Sequence, residues 1–112
     1  MRPPIASPVA HFPGEITLPA ALTFPQFAAW RDSVMAAQER LEKSPGDFGA
    51  SDAALLPGIL AVVAEWRIDK LPQPLTADNF PATPRRASNA LVAWLWRCIS
   101  ALVNEEEETP KD

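Results

Sequence analysis

Thirteen prolines in 112 residues constrain this chain more than any other feature. Proline has no amide N–H and fixes φ, so it is tolerated in a helix only in the first turn and in a sheet only at an edge. Pro3, Pro4, Pro8 and Pro13 crowd residues 1–14, and Pro72, Pro74, Pro81 and Pro84 crowd residues 71–84. Helix is excluded from both stretches. What remains is three windows, and each carries apolar residues at helical spacing.

The first window predicts a helix over 24–42, opening near Thr23 or Phe24 with Pro25 in its first turn. Phe27, Trp30, Val34, Ala37 and Leu41 form one stripe, and the run KSPGDFG at 43–49 ends it. The second predicts a helix over 52–70, capped by Ser51 or Asp52, with Pro57 marking a first turn or a kink. Its stripe is Leu55, Ile59, Val62, Val63 and Trp66, and it stops before Pro72. The third predicts a helix over 84–103, with Thr83 as cap and Pro84 at the first helical position. Residues 15–18 (EITL) suit one short strand or an extended clip over the core. The 71–84 loop is expected to turn at 76–79 and to anchor through Leu75 and Phe80. The expected fold is all-α: a flexible proline-rich arm over 1–14, one helical domain over 15–103, and a flexible acidic tail over 104–112.

Charge sharpens that division. Residues 104–112 hold five acids against one base, whereas residues 1–103 hold nine of each, so the net charge of -4 belongs to the tail. A neutral domain lacks the basic surface that nucleic acid requires. The apolar runs at 55–64 and 90–103 are too short for a membrane span, which needs roughly 20 residues. Cys98 is the only cysteine and His11 the only histidine, so neither an internal disulfide nor a Cys/His zinc site can form. The absence of a disulfide framework points to the cytoplasm. No glycine spacing matches a phosphate loop. His11 has no nucleophile or carboxylate motif around it, Cys98 reads as a small core hydrophobe, and Arg85 and Arg86 read as a surface pair. No catalytic, metal or cofactor residues are assigned, no small-molecule substrate is expected, and the chain is read as a non-enzyme.

The third helix carries the main candidate site. Ala87, Leu91, Trp94, Leu95, Cys98 and Leu102 form one stripe; Val92, Trp96, Ile99 and Val103 form a second beside it. Together they cover roughly 200° of the helix, more than packing on one neighbour needs. Either the helix is buried between the other two, or the second stripe meets a protein partner or a second copy of the chain. The acids Glu105, Glu106, Glu107 and Glu108 oppose the helix dipole, so the helix is expected to fray where they begin. They form a solvated tail or a mobile segment that touches a basic partner.

The ITLPAALTFPQFAAW opening, the VVAEWRI helix, the LTADNFPATP loop and the ALVAWLWRCISAL helix with its acidic end together resemble the small helical tail assembly chaperones of tailed bacteriophages and prophages. The likeness covers about residues 15–108 and is one of layout. It implies binding of the tape measure protein during tail assembly, in the host cytoplasm, without catalysis. The alternative is a self-associating structural subunit, such as a minor tail or head-tail component. A third reading is a small enzyme accessory subunit.

Overall fold

A computed structural model describes residues 2–108. In chain order the elements are β1 (Ile5–Ala6), β2 (Gly14–Thr17), α1 (Phe24–Lys43), α2 (Phe48–Val62), β3 (Glu65–Ile68) and α3 (Arg85–Glu108). The fold is mostly helical. It is not purely all-α, because the strands form one antiparallel sheet in the order β1-β2-β3. Ile16 of β2 pairs with Ile5 on one side and with Trp66 on the other.

α1 follows its sequence signals closely. Thr23 and Gln26 form a reciprocal capping box: the Gln26 amide donates to Thr23 Oγ1 at 3.2 Å and the Thr23 amide to Gln26 Oε1 at 2.9 Å. Pro25 sits in the first turn, and the helix ends at Ser44 just before Pro45.

α2 departs from the expected 52–70 at both ends. It starts at Phe48 because Asp47 is the cap, its carboxylate accepting from the Ala50 amide at 3.1 Å. Ser51 and Asp52 therefore lie inside the helix. At its other end Val63 is already extended, and EWRI forms β3 instead of a helical turn. Short apolar runs fit either periodicity, and the free edge of β2 decides. The ladder is extended by Ala64 donating to the Thr17 carbonyl and Asp69 to that of Pro13, each at 2.9 Å.

α1 and α2 form an antiparallel hairpin that crosses closely at Gly58. A Cβ there would lie 2.9 Å from Ser33 Cβ and 3.0 Å from Trp30 Cα. The Gly58 amide, one residue after Pro57, donates to the buried Ser33 hydroxyl at 2.8 Å. Gly14 is the other required glycine. Its φ is +136, and a Cβ would collide with the Arg67 carbonyl of β3.

Within the proline-rich arm expected to be flexible, residues 2–14 contribute a strand and a core side chain. β1 is an edge strand, where prolines do least harm. Phe12 is fully buried, and His11 packs edge-on against it with ring centroids 4.8 Å apart. Arg2 donates to the carbonyls of Pro19 and Ala20 and pairs with Glu105 at 3.1 Å.

The 71–84 loop turns where expected. Thr76 and Asn79 exchange side-chain to backbone hydrogen bonds, Asn79 also donates to the Pro74 carbonyl, and Leu75 and Phe80 pack on the core. α3 starts one residue later than expected. The Ser88 amide donates to the Pro84 carbonyl, so Pro84 and not Thr83 takes the capping position. α3 then continues through Glu108, past the expected end at 103. Long-range partners offset the unfavourable dipole: Glu105 meets Arg2, and the Glu106 carboxylate accepts from the Leu22 amide at 2.9 Å. Residues 104–108 are thus helix, while the rest of the expected acidic tail, 109–112, lies outside the described residues.

The core is one cluster drawn from every layer, including Phe12, Ile16, Trp30, Ile59, Val62, Ile68, Leu91, Leu95 and Ile99. No described helix is long and apolar enough to cross a membrane.

Candidate functional site, an apolar groove between three helices

The second stripe of α3 is divided by depth. Val92 and Ile99 are core residues, 2% and 0% exposed, and Val103 is half-buried. Only Trp96 stands out, at 41%. As a continuous exposed face the stripe does not exist. At 100° per residue the depth follows the angle: Ile99 and Val92 lie nearest the buried side of α3 that carries Leu91, Leu95 and Leu102, Val103 lies farther round, and Trp96 farthest.

At the height of Trp96 a groove of about 410 Å³ opens between the three helices. Val34 and Leu41 of α1, Phe48 and Leu55 of α2, and Trp96 of α3 form its apolar walls. Phe48 is 62% exposed, an uncommon position for a large apolar side chain at the start of a helix. The sequence reading missed it because KSPGDFG was assigned to a loop. The signal was present: Asp47 three residues before Ala50 is a cap, and it makes Phe48 the first helical residue. Met35, on the outer side of α1 among Asp32, Glu39 and Glu42, is a further exposed hydrophobe.

Asp52 is the one charged residue lining the groove. Burial pushes its carboxyl up to about 6, because the apolar surroundings disfavour the charged form. No ion pair reaches it among the described residues. Gln38 and Ser51 supply the remaining polar edge.

The other sequence candidates lie apart from the groove. Glu105 and Glu106 tie the end of α3 to the N-terminal segment, and Glu107 and Glu108 are exposed on the same last turn. Cys98 is half-buried against the core, where burial raises its thiol above the ordinary range. Arg86 is exposed. No cluster of three or more His, Cys, Asp or Glu able to hold a metal occurs among the described residues. The chain matches no known family model, no curated protein and no solved structure.

Proposed function

We propose that this chain is a non-catalytic binding protein whose groove receives an amphipathic helix of another protein. The observation that carries the reading is the exposure of Phe48 and Trp96 on opposite walls of one apolar trough. All three walls are helices, whose backbone groups are consumed internally, so the groove offers no edge for strand addition. The fitting occupant brings its own satisfied backbone, which is the helix-in-groove mode. Asp52 on the groove wall favours a hydrogen-bond donor or a basic residue beside the partner's apolar stripe.

The resemblance to tail assembly chaperones gives this partner a specific form: the long hydrophobic helices of a tape measure protein, kept soluble until the tail is built. Co-expression with a tape measure protein encoded nearby tests it. The partner's soluble fraction is expected to rise with the native chain and to fall back when Phe48→Ala and Trp96→Ala are combined. Unchanged solubility with the native chain rejects the chaperone reading. Light scattering across concentration addresses the rival: a groove that seats a second copy produces a dimer that the same double variant dissolves, and a strict monomer rejects self-association.

A further inference from the structure

A second cavity, about 260 Å³, lies beneath the 71–84 loop, between α2 and the first turns of α3. Its floor is apolar, built from Leu56, Phe80 and Val92. Asp52, Arg85, Ser88 and Asn89 line its polar side. Ser88 is 7% exposed, and its buried Oγ has no hydrogen-bond partner. Arg85 and Asp52 share the cavity without forming an ion pair. Buried polar groups are normally satisfied, and an apolar pocket with several convergent unpaired polar groups is the usual form of a ligand site.

The charges define the ligand. A carboxylate, Asp52, stands on the α2 wall, and a guanidinium, Arg85, on the α3 wall. Neither an amine nor an acid alone answers both. We propose that this cavity binds a small zwitterion of the free α-amino acid type with a short aliphatic side chain. Its ammonium meets Asp52 and the Ser88 hydroxyl. Its carboxylate meets Arg85 and the Asn89 amide, and its side chain lies on Leu56, Phe80 and Val92. The cavity and the groove share Asp52, so Asp52→Asn bears on both, whereas Arg85 lines the cavity alone.

The test is a two-dimensional amide NMR titration of the full chain with L-valine, and in parallel with isobutylamine and isovalerate. Valine is expected to give saturable shifts at the amides of Asp52, Ser88 and Asn89. Each single-charge control should bind about tenfold more weakly or worse, as should valine to Asp52→Asn and to Arg85→Gln, since each loses a charge-assisted hydrogen bond. Circular dichroism confirms that both variants fold; Arg85 is exposed, so its variant tests the site without touching the core. Phe48→Ala should leave valine binding unchanged, which separates this cavity from the groove. The proposal is overturned if valine produces no saturable shift, if either control binds as tightly as valine, or if both variants bind valine normally.

Discussion

The two ends of the α1–α2 hairpin are built from similarly apolar side chains and finish differently. At one end Gln26 donates to the Ala61 carbonyl, Ala64 to that of Thr17, and Leu22 to Glu106. There the sheet and the last turn of α3 seal Phe12, Ile16 and Leu18 from water. At the other end the hairpin turns through residues 44–47, and Leu41 and Phe48 face Trp96 across an open groove. What separates the ends is cover, not composition. Distant strands close the first end, and no described segment closes the second.

Substitutions at the two ends break or sharpen that contrast. The largest effect is expected at the sealed end: Phe12→Ala should destabilise the fold by about 3–5 kcal/mol in chemical denaturation, because a fully buried aromatic leaves a cavity. Midway along the hairpin, Gly58→Ala should cost about 1–3 kcal/mol by forcing α1 and α2 apart at Ser33, although alanine usually improves a helix.

Near the open end, Asp52 sets a pH dependence. Its folded pKa of about 6 lies above the ordinary 3.8, so the native state holds the proton more tightly than the unfolded chain does. Stability should therefore fall as pH rises from about 4 to about 6 and level off above, by about 1 kcal/mol once solvent screening is allowed for. Arg85, across the neighbouring cavity, is the charged group facing it. Asp52→Asn should remove this component of the pH profile and raise the melting temperature at neutral pH. The smallest effect belongs to Phe48→Ala, expected to shift stability by about 0.5 kcal/mol or less while weakening partner binding. A large loss of stability there would show that the open end is as integral as the sealed one.

The helices were legible where the signals were local. Thr23, Pro25 and the Phe27-to-Leu41 stripe placed α1, and Thr76 with Asn79 placed the loop turn. Errors arose where a distant residue decided. Trp66 continues the helical stripe of Ile59 and Val62 as readily as it suits a strand, and the pairing of β2 with 65–68, Ile16 opposite Trp66, makes it part of β3. The acids at 105–108 oppose the helix dipole locally, and only Arg2 and the Leu22 amide explain their helix. At the candidate site, the periodicity placed Val92, Trp96, Ile99 and Val103 on one line. Treating the four as one face hid the angle between them: Ile99 and Val92 lie toward the buried side and Trp96 at the far edge, so Trp96 was grouped with two core residues, and Phe48, which lines the same groove from α2, was missed.

The contact between Arg2 and Glu105 makes the described chain nearly a ring. Its two ends meet beside the sealed end of the hairpin, with the groove at the opposite end. A short polar linker joining residue 108 to residue 2 would close that ring, and new termini could then be cut in the exposed 44–47 turn. A permuted chain of that kind would keep the sheet and core but place its loose ends beside Phe48. It would convert the open groove into the one part of the molecule that an attached segment can reach and cover.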